Sequence, residues 1–232
     1  MVKSSAAKSD VGAPRTTKGG ETRARILETA LDLFRQRGYD ETTMRAIAEG
    51  ADVSLGNAYY YFTSKEHLIQ AFYGRTHQEH LEASAPILAA ESSFKARLLG
   101  VMHAKLATIE PYHRFAGILF KSAADPESPL HPFSKESGPV RDEATALMRE
   151  VVDGSTIKLP DDLRAELPRL LWLYHMGVIL FWIHDGSAKR QRTRTLIEMS
   201  VELIARLVSV GGNPLMRPVR KAVLRMVEGT KG

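Results

Sequence analysis

Residues 42–66 read TTMRAIAEGADVSLGNAYYYFTSKE, and this stretch decides the fold. Thr42 or Thr43 can cap a short helix through Ile47 and Ala48, and Ser54 can cap a second through Ala58 and Tyr61. Only the few residues around Asp52 lie between them. Ile47, Ala51, Val53, Ala58 and Tyr61 supply the apolar positions that pack the pair, and the small Ala48 and Ala51 permit close approach. Thr63 and Glu66 then form a T-x-x-E capping box, which predicts a longer helix from Ser64 to about Glu82 through Leu68, Ile69 and Phe72. Upstream, Ile26, Leu27, Ala30, Leu31 and Phe34 fall at helical spacing, with Glu21 near the start and Gly38 as the stop.

Two short helices joined by a tight turn, the second opening on a small polar residue, make a helix-turn-helix whose second helix suits the DNA major groove. Ser54, Leu55, Gly56, Asn57, Tyr59 and Tyr60 are left to form its outward face, while Tyr61 and Phe62 are assigned to the core. A bidentate bond from Asn57 to adenine carries about 1–3 kcal/mol of discrimination, and Leu55 suits a thymine methyl. Thr43, Tyr59, Tyr60 and Lys65 suit backbone phosphates, which fix register without reading sequence, and Arg45 is a further candidate DNA contact.

The run Thr42 to Ala48, followed by Val53 to Glu66, resembles the DNA-binding domain of TetR/AcrR-type transcriptional regulators. The resemblance covers about Thr22 to Phe72. It implies an all-α homodimer, usually a repressor, released from double-stranded operator DNA by a small ligand. Asp52 departs from the glycine usual in that turn; if the position needs positive φ, aspartate tolerates it better than most residues.

The rest of the chain continues helical beyond Pro86, over about Phe94 to Ile109, Tyr112 to Ala124, Val140 to Val152, Leu163 to Ile183 and Thr193 to Val210, with no strand run. Proline-rich Asp125 to Pro139 reads as a loop. The fold class expected is all-α: a flexible basic arm (1–20), a three-helix helix-turn-helix domain (21–66), a larger ligand-binding and dimerisation domain (67–212) and a basic C-terminal tail (213–232). Residues 1–65 carry a net charge of +2, 66–187 of −4 and 188–232 of +7, within a total of +5. Basic ends around an acidic middle fit a polyanionic partner and equally fit ordinary solubility. The 232 residues contain no cysteine, which excludes disulfides, thiol nucleophiles and thiolate zinc sites. The N-terminus has no signal-peptide core and Leu170 to Ile183 is too short to cross a membrane, so a cytoplasmic location and no membrane partner are expected.

Leu163 to Ile183 is apolar nearly all round, and a helix of that kind is covered on two sides. With Thr193 to Val210 it suits a four-helix interface between two subunits, through Phe181, Trp182, Leu196, Ser200, Leu203, Ile204, Leu207 and Val208. A large monomeric core is the alternative. Polar and aromatic groups on central helices, His103, Tyr112, Phe115, Phe120, Trp172, His175 and Met176, are candidate contacts for a small hydrophobic or amphipathic effector. His77 and His80, one turn apart near His67 and Glu79, read as a solvated helix face rather than a metal site. Neither metal nor cofactor is expected. The absence of G-x-S-x-G, G-x-G-x-x-G, P-loop and H-E-x-x-H patterns argues against an enzyme. A hydrophobe carrier without DNA function is the competing reading.

Overall fold

The computed structural model describes residues 18–211 together with Asn213, Pro218, Lys221, Ala222 and Arg225. The expected basic arm up to residue 17, and most of the expected basic tail, lie outside the described residues. Nine α-helices and no strand are found among the described residues. The chain divides into two compact units between Leu68 and Ile69, two residues beyond the expected domain boundary.

The first unit contains α1 (Lys18–Arg37), α2 (Met44–Gly50), α3 (Leu55–Tyr61) and the start of α4 (Lys65–Ala90). The apolar face of α1 is buried at Ile26, Leu27, Ala30, Leu31 and Phe34, and the chain leaves it through Gly38 at φ 88°, a conformation that favours glycine. Ile47, Ala48, Ala51, Ala58, Phe62 and Leu68 close the core from the other helices. The Arg25 Nε–H donates to the Ala51 carbonyl at 2.9 Å, tying α1 to the end of α2.

In the second unit α4 continues, followed by α5 (Phe94–Ile109), α6 (His113–Ala123), α7 (Gly138–Asp153), α8 (Asp161–His184) and α9 (Gln191–Val210). Its core joins Leu98, Val101, Met102 and Leu106 of α5 to Met148, Val151 and Val152 of α7, Leu171, Val178 and Trp182 of α8, and Ile197 and Val201 of α9. Acidic Asp161 and Asp162 open α8, charges that complement the positive end of the helix dipole.

Two expectations about α4 need correction. The helix does not stop near Glu82 but runs through Pro86 to Ala90. The carbonyl left without a donor by Pro86 belongs to Glu82, on an exposed stretch where water can serve it. The start of α4 is capped by Ser64, whose Oγ accepts the His67 N–H at 3.3 Å, rather than by Thr63. Glu66 is drawn away from the expected capping box because its carboxylate accepts the Tyr39 O–H at 2.6 Å.

One buried cation organises the second unit. Arg97, 5% exposed, donates to the carbonyls of Leu88 and Glu91 at the end of α4 and to those of Glu150 and Val151 near the end of α7. Carbonyls at helix C-termini lack intrahelical donors and carry partial negative charge, so a guanidinium serves both needs. Gly154 leaves room for it: a Cβ there would stand 2.2 Å from Arg97 Nη2.

Candidate functional site

The helix-turn-helix is built by local chemistry. Thr43 Oγ1 accepts the Ala46 N–H at 3.1 Å and Ser54 Oγ accepts the Asn57 N–H at 3.1 Å, so both predicted caps are in place. Between the helices Asp52 lies at φ 51°. Its N–H donates to the Glu49 carbonyl and the Val53 N–H to the Ala48 carbonyl, the two bonds of a Schellman turn with a left-handed residue at its hinge. Aspartate thus occupies a position where glycine is favoured.

Outside this turn, Thr43, Arg45, Ser54, Gly56 and Asn57 are exposed and Leu55 is half-buried. Tyr59 is 46% and Tyr60 80% exposed, while Phe62 is fully buried. Nothing lies within 4 Å of where a Gly56 Cβ would be, which leaves that surface of α3 open. Lys65 differs from the rest. Its ammonium donates to the carbonyls of Tyr39 at 2.7 Å and Asp40 at 3.4 Å, and lies 4.4 Å from the centre of the Tyr39 ring. Intramolecular partners therefore hold the group that sequence reasoning directed toward phosphate.

The second unit contains a partly open cavity of about 240 Å³ with a mostly apolar lining, to which Tyr112, Phe120, Trp172, His175 and Met176 all contribute. Two candidate contacts fall elsewhere. Phe115 is fully buried and packs behind the wall, its ring 5.3 Å from that of Phe72. His103 is half-buried and absent from the lining. Burial lowers its pKa, with the charge of Arg194 on α9 adding to the effect and Glu198 opposing it.

Sequence reasoning missed the polar wall of this cavity. His77 and His80, expected on a solvated face, are 3% and 1% exposed, because α4 turns that side toward α5 and α8. His77 and Lys105 line the cavity beside His175. The His80 and His175 rings are 5.8 Å apart, and His77 and His80 6.4 Å. His80 Nε2 pairs with the Val101 carbonyl at 2.9 Å, while both ring nitrogens of His175 are buried without a hydrogen-bond partner. Burial, reinforced by the nearby Lys105 charge, pushes His80 down to about 3 and His175 well below the usual histidine range. Lys105 is itself lowered to about 8 by burial, against the pull of Glu79. Among the described residues no group of three or more His, Asp or Glu side chains is placed to hold a metal ion, and no helix is long and apolar enough to cross a membrane.

The candidate dimerisation residues divide. Leu203 and Leu207 are 57% and 55% exposed, and Phe181 is also exposed. Leu196, Ser200 and Ile204 are half-buried, with Ser200 Oγ paired to the Tyr174 hydroxyl at 2.7 Å. Trp182 and Val208 belong to the interior instead. The indole N–H of Trp182 donates to Glu110 at 3.1 Å and its carbonyl pairs with His113 at 2.8 Å. Leu180, Met199 and Val210, which sequence reasoning left out, are exposed. Residues 199, 203, 207 and 210 recur at intervals of three and four, forming one apolar stripe along α9.

Comparison with known proteins agrees with this architecture in both units. A sequence profile described as "Tetracyclin repressor-like, C-terminal domain" matches residues 97–225, and one described as "Bacterial regulatory proteins, tetR family" matches residues 26–72. The HTH-type transcriptional regulator TtgR of Pseudomonas putida is 29% identical over 188 residues, covering 79% of this chain and 85% of TtgR. The HTH-type transcriptional repressor KstR of Mycolicibacterium smegmatis is 47% identical over a shorter block of 55 residues, 24% of this chain and 27% of KstR. A TetR-family regulator from Syntrophomonas wolfei has the same fold, with a TM-score of 0.66 at 16% identity over 81% of this chain and 96% of that one. With its helix-turn-helix and its larger helical unit both matched, the chain belongs to the TetR family of ligand-responsive, DNA-binding transcriptional regulators.

Proposed function

We propose that the chain is a homodimeric repressor that reads a two-fold operator with α3 and is released when a small hydrophobic or amphipathic molecule enters the cavity of the second unit. The observation that carries this reading is the course of α4. At its start Lys65 and Glu66 are bonded to Tyr39 beside the helix-turn-helix, and from Gln70 to His77 the same helix lines the cavity. A molecule that displaces the cavity wall therefore acts on the helix that supports the DNA-reading unit. Two such units must keep a separation of about 34–36 Å to enter successive major grooves.

Asn57 is assigned to base contact, and Thr43, Arg45, Tyr59 and Tyr60 to phosphates. The exposed Phe181, Leu203 and Leu207, with Leu180, Met199 and Val210, are assigned to the subunit interface, since a two-fold reader needs a partner that hides this stripe. Because the assigned residues bind and none is given a chemical step, the proposed role is regulatory rather than enzymatic.

Footprinting on the promoter DNA flanking the chain's own gene, followed by anisotropy titrations over a range of salt, tests the reading. A two-fold protected site whose affinity falls steeply with salt is expected. Salt-insensitive, sequence-indifferent binding would leave a hydrophobe carrier as the better account. Linkage supplies a second check: an effector that weakens operator binding tenfold, about 1.4 kcal/mol, must bind the operator complex tenfold more weakly than the free protein.

A further inference from the structure

The cavity wall is mostly apolar; of its polar side chains, Gln70, Thr76, Ser137 and Arg141 donate to backbone carbonyls of the protein, whereas Lys105, His175 and His77 line it together. At that place the interior carries a charge and donors that the fold leaves unused. Among the described residues no hydrogen bond or ion pair reaches the Lys105 ammonium, although the residue is only 8% exposed. Its nearest opposing influence is Glu79, whose carboxylate is 3.8 Å from Arg75. Glu143 lies 3.6 Å from His77 Nε2 and is itself largely exposed. His175 presents two unpaired ring nitrogens in a fully buried position.

A buried cation without a partner, next to an unpaired N–H, is costly in the empty protein and becomes favourable when an anion arrives. Native interiors rarely keep such groups unless a bound molecule completes them. Neutral effectors offer at most a hydrogen-bond acceptor here, whereas an anion supplies both the acceptor and the compensating charge.

We propose that the effector is an amphipathic carboxylate, with its head group held between the Lys105 ammonium and the His175 imidazole beside His77, and its apolar body against Phe120, Trp172 and Met176. This rests on the reading of the cavity as the effector site, and it names the class of effector. Lys105 provides the charge and His175 the N–H donor; Gln70, Ser137 and Arg141, which also line the cavity, are already bonded to the carbonyls of Pro129, Pro132 and Ser134.

The chain's two tryptophans, Trp172 and Trp182, both line the cavity, so intrinsic fluorescence reports occupancy in the full chain without DNA. Decanoate and 1-decanol, equal in chain length, are titrated separately. The expected result is saturable binding of one molecule per chain, with decanoate at least about tenfold tighter. In Lys105→Met this preference collapses to near unity while decanol binding persists, and in Lys105→Arg it is retained. Equal affinities for acid and alcohol in the unmodified chain would overturn the carboxylate proposal and leave the cavity reading standing. A preference that survives in Lys105→Met would overturn the assignment of the head-group site. Failure of both probes to bind would remove the cavity reading and the proposal together. Should Lys105→Met fail to fold, His175→Phe asks the same question from the other side of the head group: a preference reduced severalfold supports the proposal, and an unchanged one overturns it.

Discussion

Asp185 is 3% exposed and joins the end of α8 to the start of α9, the two helices whose outer faces form the exposed apolar stripe. Its carboxylate accepts the Ser187 N–H at 2.8 Å, the Thr193 N–H at 2.9 Å and the Thr193 O–H at 2.7 Å. The intervening turn needs such support, because Lys189 and Arg190 lie at φ 51° and 53°, where side chains other than glycine are strained. Asp185→Ala removes three charge-assisted bonds and strands the backbone N–H of Thr193, a fully buried residue. A bond to a charged group contributes about 1.5–3 kcal/mol, and an orphaned buried donor costs about 1–3 kcal/mol. Since these terms overlap, the expected loss is about 3 kcal/mol, and Asp185→Asn, which keeps one acceptor oxygen, should lose less. For a protein of this size that loss lowers Tm by about 6–12 °C, read through the fluorescence of Trp182 three residues away. A Tm within about 2 °C of the unmodified chain would refute the reasoning.

Protonation gives the same argument a second measurement. Burial alone would raise the Asp185 carboxyl, but the hydrogen bonds from Ser187 and Thr193 outweigh it and hold the group well below the usual carboxylate range. A group whose folded pKa is depressed contributes its stability above the unfolded value, about 3.9, and loses it as pH falls toward the folded one. The stability gap between the unmodified chain and Asp185→Ala should be constant from about pH 5 to 8 and narrow below about pH 4. A gap unchanged down to pH 3 would show that charge has no part in it.

Asp52→Gly should be more stable than Asp52→Ala by about 1 kcal/mol in urea unfolding, because the turn needs a left-handed residue; equal stabilities would refute that role. Leu203→Glu combined with Leu207→Glu should convert a dimer to folded monomers in sedimentation, and a persisting dimer would move the interface elsewhere. Asn57→Ala should reduce operator affinity at particular base pairs while leaving thermal stability within about 0.5 kcal/mol. Lys65→Met, by contrast, should lower the stability of the first unit, since its ammonium holds two carbonyls; a change confined to the salt slope of DNA binding would return Lys65 to the phosphate-contacting set.

Features determined by neighbours in sequence were legible before the structure. Thr43 and Ser54 cap their helices with donors three residues away, Gly38 stops α1, and the turn at Asp52 closes on Ala48 and Glu49. Each signal lies within one or two helical turns, where residue type and spacing suffice. Contacts between distant segments were not legible in this way. His77 and His80 read as solvated because their sequence neighbours are polar, yet α5 and α8 bury them. Trp182 looked available for a partner until Glu110 and His113, some seventy positions earlier, engaged it. The sharpest case is α5, which carries Arg97 and Lys105 eight residues apart, two buried cations that sequence alone gives no reason to treat differently. Arg97 ends against four carbonyls from the ends of two helices, so its charge and its donors are used within the fold. Lys105 ends in the wall of a cavity, and among the described residues no hydrogen bond or ion pair holds its ammonium. Burial of charge is common to both, and satisfaction separates them: the first closes the architecture of the second unit, while the second leaves a charge that the proposed carboxylate would compensate.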